Sequence, residues 1–161
     1  VILCQIKIDP TLGVIIMNKE DIKKIIPHRE PMLLVDEASV VEENKAVGVY
    51  KVKGDEWFLQ GHFPGNPVVP GVILCEIMAQ TCCVLIHGEN TDKSEEEELT
   101  TPYFTGLNNV KFRNPVKPGD TLKLECSIER IKGPFYFAKG KGSVDGKLCV
   151  SADFSFALVK G

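Results

Sequence analysis

The 161-residue sequence has no Cys-x-x-Cys pair, no histidine spacing suited to zinc, and no basic stretch studded with aromatics. Each absence removes a class of function. Cys4, Cys75, Cys82, Cys83, Cys126 and Cys149 are read as reduced, mostly buried thiols rather than metal ligands or a redox pair. A formal charge of −3 supplies no global basic field, which excludes the usual electrostatic basis of nucleic-acid binding. The longest apolar stretch, Val72 to Ile86, contains Glu76 and Gln80, and its fifteen residues fall short of the roughly 20 needed to cross a bilayer. No basic region, apolar stretch and small-residue cleavage site follow one another at the start, so a cytoplasmic location is expected. There is neither an internal repeat nor a low-complexity tract.

What is present suits one domain with its own core: 43% of residues are hydrophobic and a quarter are charged. Residues 1–16 are read either as an extension preceding Met17 or as an edge strand, because Ile2-Leu3-Cys4 and Val14-Ile15-Ile16 flank the turn-like Asp9-Pro10 and Leu12-Gly13. Asn18 to Ile22 reads as a helix cap and start, with a short helix over Asp21 to Ile26 stopped by Pro27. Met32 to Asp36 and Ala38 to Val52 read as strands that turn near Glu43-Asn44. Gly61 to Gly71 is a loop stiffened by prolines and punctuated by glycines. Val72 to His87 is the one long helix, apolar on nearly all sides and therefore buried. The polar connector that follows carries the acidic run Glu95 to Glu98, read as a solvated loop. Four strands close the chain, over Phe104–Asn114, Thr121–Lys132, Phe135–Val144 and Leu148–Val159, with a tight hairpin at Asp145-Gly146. One buried helix followed by a run of strands implies an α+β domain, a meander wrapping the helix.

Two residues stand out chemically. Glu76 is the only charge between Val72 and Ile86, and a carboxylate on a buried helix must be paired or protonated. It can simply reach a polar neighbour across an interface. It can also serve as a general acid with a raised pKa, sharing a helix face with Gln80 one turn later. His62 stands in the rigid loop ahead of the same helix, where an imidazole is fixed with little entropy left to lose. A lone loop histidine is more often a surface residue; its pairing with Glu76 around a constrained turn favours chemistry. His28 and His87 lack such a setting and are read as structural. Cys75 adjoins Glu76 but has no basic partner to make it a nucleophile. Pro70-Gly71 opens the helix and leaves N–H groups unpaired at its positive end, where a thioester oxygen gaining charge can be held.

The segment Gly61-His62-Phe63-Pro64-Gly65-Asn66-Pro67-Val68-Val69-Pro70-Gly71-Val72, followed by Glu76-Ile77-Met78-Ala79-Gln80, closely resembles the FabZ-type 3-hydroxyacyl-[acyl-carrier-protein] dehydratases. Pro27-His28-Arg29 with Pro31 to Asp36, and Val110 to Val116 with Pro118-Gly119-Asp120, support the match. The resemblance covers almost everything from Asp21 onward. It implies a hot-dog fold, a long central helix wrapped by a curved antiparallel sheet, and a homodimer, often a trimer of dimers, with His62 of one subunit opposite Glu76 of the other. It also implies that the Val68 carbonyl orients the imidazole, that the Gly71 N–H binds the thioester oxygen, and that Tyr103 gates the acyl tunnel. Relatives that also isomerise the double bond usually carry Asp at the Glu76 position, so dehydration without efficient isomerisation is expected. Glu30 departs from a more often apolar or aromatic position, and residues 1–16 match nothing recognised.

On this reading (3R)-hydroxyacyl groups on acyl carrier protein become trans-2-enoyl groups in type II fatty acid biosynthesis. His62 takes the α-proton and Glu76, directly or through a water near Gln80, protonates the departing hydroxyl. No metal or redox cofactor is called for, because the thioester supplies the acidity. The acidic carrier protein would dock on a local cationic patch, with Lys111, Arg113, Lys117, Lys139 and Lys141 as candidates. A hot-dog thioesterase and a non-catalytic acyl-thioester-binding regulator are the alternatives. The His62 loop speaks against the first and the dyad against the second.

Overall fold

The computed structural model describes residues 7–86 and 100–160. Cys4, His87 and the run Glu95 to Glu98 lie outside them. The described chain opens with a hairpin, β1 (Lys7–Ile8) and β2 (Ile15–Ile16), whose turn is held by Asp9 Oδ1 accepting from the Thr11 and Leu12 N–H groups at 2.7 and 3.0 Å. Asn18 then caps α1 (Lys19–Lys23) in a reciprocal box: its side chain accepts from the Asp21 N–H and Asp21 accepts from its own N–H. This cap sets the helix two residues earlier than the sequence reading placed it. The carbonyls of Lys23 and Ile26 are taken instead by the Arg29 guanidinium, at 3.1 and 3.0 Å. Glu30, the unexpected polar residue, forms an ion pair with Lys23 at 3.1 Å.

Met32 to Asp36 is not a strand. Leu33, Leu34 and Val35 are buried, but the Leu34 N–H donates to Gln80 Oε1 at 2.8 Å and the Met32 carbonyl accepts from Gln80 Nε2 at 2.7 Å. A side chain on the central helix satisfies backbone groups that a strand would pair in a ladder. Next come β3 (Glu37–Glu42) and β4 (Lys45–Lys51), joined across Glu43-Asn44 as anticipated, and a 3₁₀ turn at Trp57–Leu59. Helix α2 (Gly71–Cys83) tightens into a 3₁₀ turn at Val84–Ile86. Strands β5 (Thr101–Phe112), β6 (Thr121–Lys132), β7 (Phe135–Val144) and β8 (Lys147–Val159) complete the chain. Asp145 and Gly146, with φ of 49° and 78°, turn β7 into β8; two positive φ values in a row suit a type I′ turn and the twist of its strands.

Six strands form one antiparallel sheet in the order β3-β4-β6-β7-β8-β5. Alternation along the strands sends Ala46 and Tyr50, Leu122 and Leu124, Tyr136 and Ala138, and Val150 to Phe156 at every second position toward one face, where they are buried. Helix α2 fills that face, with ten of its thirteen residues buried. Close approach depends on small residues in the sheet: a Cβ at Gly48 would lie 2.6 Å from the Thr81 side chain, and one at Gly140 would overlap Met78. The helix therefore sits in a trough cut by glycines, and its register against the sheet is set there.

The β1–β2 hairpin pairs with itself and not with the main sheet. None of residues 7–16 is buried, and its ion pair, Lys7 to Glu37 at 2.6 Å, is exposed. Such a pair contributes about 1 kcal/mol at most. A chain beginning at Met17, which keeps the Met17–Ala38 bridge, should unfold cooperatively with a midpoint lowered by no more than about 4 °C in a circular-dichroism melt. Loss of the cooperative transition would instead make the hairpin a required part of the fold.

Candidate active site

The proline-rich loop delivers His62 to the mouth of α2. Its ends are tied by backbone hydrogen bonds: the Val68 N–H donates to the His62 carbonyl at 2.8 Å, Asn66 and Phe63 exchange bonds at 2.9 and 3.0 Å, and the Val69 N–H reaches the Val116 carbonyl at 2.8 Å. Within this frame His62 Nδ1 lies 2.8 Å from the Val68 carbonyl oxygen. A carbonyl only accepts, so Nδ1 carries the proton and Nε2 presents a lone pair. The Phe63 ring stacks on the imidazole with centroids 4.1 Å apart.

Helix α2 begins where the loop ends. Its first intrahelical bonds run from the Ile73 and Leu74 N–H groups to the Pro70 carbonyl, at 2.9 and 3.2 Å, so the N–H groups of Gly71 and Val72 precede the ladder. Gly71 also admits the Phe112 ring, because a Cβ there would lie 2.7 and 2.8 Å from two of its atoms. A cleft of about 550 Å³ is lined by His62, Val68, Gly71, Phe112, Arg113 and others. It brings together an imidazole base, a helix amino terminus and an arginine, a set able to take a proton beside a carbonyl group and hold the oxygen that gains charge.

Glu76 does not line this cleft, and among the described residues no hydrogen bond or ion pair joins it to His62. Its carboxylate is held instead by His28 and Gln80. Gln80 Nε2 donates to Glu76 Oε1 at 2.8 Å, and His28 Nε2 lies 3.4 Å from the same oxygen. The Glu76 carboxyl is lowered, not raised as expected. Burial pushes the Glu76 carboxyl up, but hydrogen bonding from His28 and Gln80 and the His28 charge together outweigh it, holding the group below its ordinary value. Sequence alone pairs Glu76 with Gln80 and leaves His28 structural. The only hint was that His28 belongs to Pro27-His28-Arg29, one of the segments carrying the family resemblance.

Tyr103 lies on β5, an edge strand of the sheet, and is more than half exposed, as is Phe112. Leu107 and Phe104 are exposed beside them. Among the cationic candidates, Lys111, Arg113, Lys139 and Lys141 share a second groove of about 630 Å³ on the sheet face opposite α2, whereas Lys117 does not line it. Arg113 lines both grooves. Cys75, Cys82, Cys83, Cys126 and Cys149 are free and buried. Burial drives the Cys75 thiol up and that of Cys82 to about 12, which leaves them unreactive as nucleophiles. Among the described residues no cluster of three or more His, Cys, Asp or Glu is arranged to hold a metal, and no helix is long and apolar enough to cross a membrane.

One long helix wrapped by a single antiparallel sheet, with a histidine loop at its start, defines a protein of the hot-dog fold. A dehydratase heterocomplex, ApeI:P from Xenorhabdus doucetiae, has this fold with a TM-score of 0.73 at 20% identity, over 86% of this chain and 91% of that one. Residues 26–153 match the FabA-like domain family. The 3-hydroxyacyl-[acyl-carrier-protein] dehydratase FabZ of Clostridium beijerinckii is 46% identical over 145 residues, covering 88% of this chain and 99% of its own. The enzyme of the same name from Clostridium perfringens is 42% identical over 142 residues, with the same coverage. The chain belongs to the FabZ-type dehydratase family.

Gly71→Ala tests how tightly the cleft is built. Phe112 is half exposed and can swing away from the new methyl, so the melting temperature should change little while the ring moves and the cleft is reshaped. Dehydration should fall about tenfold or more. Unchanged turnover of 3-hydroxyacyl carrier-protein substrate would show that the approach of Phe112 to the helix start is incidental.

Proposed function

We propose that this chain dehydrates (3R)-hydroxyacyl groups carried on acyl carrier protein to trans-2-enoyl groups, the water-removing step of type II fatty acid biosynthesis in the cytoplasm. The observation that carries the reading is the His62 imidazole, held by the Val68 carbonyl with Nε2 free beside the open N–H groups of α2. In this reading Nε2 takes the α-proton, the Gly71 N–H holds the thioester oxygen as it gains charge, and Glu76 gives its proton to the departing 3-hydroxyl. His62 gains one proton, Glu76 loses one, and water leaves. Both groups are reset by exchange with solvent. A glutamate rather than an aspartate at position 76 supports dehydration without efficient isomerisation.

A thioesterase would need a carboxylate to activate water against the same carbonyl. The dehydratase relatives at 42% and 46% identity add weight to elimination, in which His62 takes the α-proton. The ionised state of Glu76 in the uncovered chain is consistent with an acid that loads on substrate entry. Its side chain is 20% exposed, and covering that remainder with an acyl chain and a second subunit removes water and favours the neutral carboxyl.

The second subunit is part of the proposal. His62 and Glu76 open to different sides of α2 in one chain, and β5 is a twelve-residue edge with Tyr103, Phe104, Leu107 and Phe112 exposed. Such an edge invites pairing with another strand. A homodimer joined along β5 would oppose His62 of one copy to Glu76 of the other and put Tyr103 at the tunnel, and such dimers would assemble further in threes. The carrier protein, being acidic, would approach over Lys111, Arg113, Lys139 and Lys141, since Arg113 leads from the outer groove to the His62 cleft.

His62→Ala and Glu76→Ala should each lower dehydration by about 10² to 10⁴ with melting and assembly unchanged, and Glu76→Gln should still bind substrate. Near-normal turnover in either alanine variant would exclude the dyad. Dissociating and re-mixing the two inactive alanine variants tests the shared site. Half of randomly formed dimers are mixed and each regains one intact site of two, so recovery should approach about one quarter of wild-type turnover. Verified subunit exchange without recovery would put both residues of a site in one chain.

A further inference from the structure

The contacts of Glu76 are lopsided. Gln80 Nε2 and His28 Nε2 both converge on Oε1, at 2.8 and 3.4 Å, and among the described residues Oε2 has no partner. Neither donor is free to wander. Gln80 is pinned at both ends, its Oε1 accepting from the Leu34 N–H and its Nε2 also donating to the Met32 carbonyl. His28 is fixed through its backbone, since Arg29 Nη1 donates to the His28 carbonyl at 2.7 Å while the same guanidinium holds the carbonyls of Ile26 and Lys23. His28 Nδ1 is buried with no partner, so the ring nitrogen directed at an acceptor is Nε2. An oxygen facing two N–H donors is a poor place for a proton, because a carboxyl O–H on Oε1 would oppose both.

We propose that His28 is a positioning residue for the elimination: with Gln80 it holds Glu76 Oε1 as an acceptor and so confines the transferable proton to Oε2, the oxygen left open for the departing hydroxyl. The inference rests on the dehydratase reading and adds to it a third residue, brought to Glu76 from a distant part of the chain. It also gives Pro27-His28-Arg29 a function beyond closing α1: the arginine holds the backbone and the histidine holds the acid. The direction of the Glu76 shift agrees, since donors on Oε1 stabilise the ionised form and make the group a stronger acid. The other titratable groups near the pair are the Cys83 thiol on α2, which feels the Glu76 charge, and Arg29 and Glu30, which are occupied by carbonyls and by Lys23.

Three variants separate positioning from mere packing. His28→Gln can bring an amide N–H to the place of Nε2, whereas His28→Asn is too short and His28→Ala has no donor. The expected result is a fall in kcat of roughly ten- to a hundredfold in the Ala and Asn variants with KM little changed, and substantial rescue in Gln. The limb of the kcat pH profile set by Glu76 should move to higher pH in Ala and Asn, because the lost donor no longer favours the ionised carboxyl. A carbon-13 titration of the Glu76 carboxyl should show the same upward displacement without any substrate. If all three variants lose activity equally, or the carboxyl titrates as in wild type when His28 is Ala or Asn, the proposal fails. If wild-type protein does not dehydrate a 3-hydroxyacyl carrier-protein substrate, the functional reading fails, and the carbon-13 titration still decides whether His28 controls the Glu76 carboxyl.

Discussion

The packing of α2 against the six-stranded sheet sets the position of every group discussed above, because a helix with ten of thirteen residues buried needs cover on several sides at once. The sheet supplies one side through a trough in which Gly48 and Gly140 let the helix backbone come close. The segment 32–35 supplies another, and its cost is that backbone groups buried there lose the ladder partners a strand would give them. Gln80 meets that cost by bonding to Leu34 and Met32. A polar residue on a buried helix is thus a structural necessity first. Glu76, one turn earlier, hangs from the same amide.

From this constraint the two halves of the chemistry separate. The amino terminus of α2, the Val68-bound imidazole and Phe112 form one cleft on one side. The carboxylate, His28 and Gln80 form a polar knot on another. The cleft is preorganised by backbone bonds, so substrate binding has little loop entropy to overcome. The knot is preorganised by side chains whose own backbones are held, through Arg29 on one side and the core position of α2 on the other. A chain built this way keeps the imidazole cleft and the carboxylate knot as separate assemblies, with β5 an open edge strand of the sheet.

The electrostatics follow the same division. Near Glu76 the desolvation expected of a buried helix is real, yet two donors on one oxygen reverse its effect on the carboxyl. The buried Cys82 thiol shows desolvation with no such compensation and is driven to about 12. Donor partners hold the Glu76 carboxyl below its ordinary value, while the Cys82 thiol, without them, is driven up.

Much of the fold was legible in the residues alone. The periodicity of β6 and β7 matched to the residue, Asp145-Gly146 announced its turn through the demand for positive φ, and the unbroken apolar character of Val72 to Ile86 announced a helix covered on all sides. His62 and Glu76 were conspicuous because a polar group in a stiff or buried setting needs a partner. What the sequence could not express was direction. Met32 to Asp36 has the composition of a strand, but whether its backbone is paired by a ladder or by Gln80 depends on where α2 lies across it. His28 reads as a structural histidine until the chain returns and sets Glu76 3.4 Å from its ring, and that contact, with Gln80, lowers the Glu76 carboxyl. Residue type and spacing determined which groups were available for chemistry; the three-dimensional path decided which oxygen faces which donor, because that depends on contacts between residues far apart in the chain.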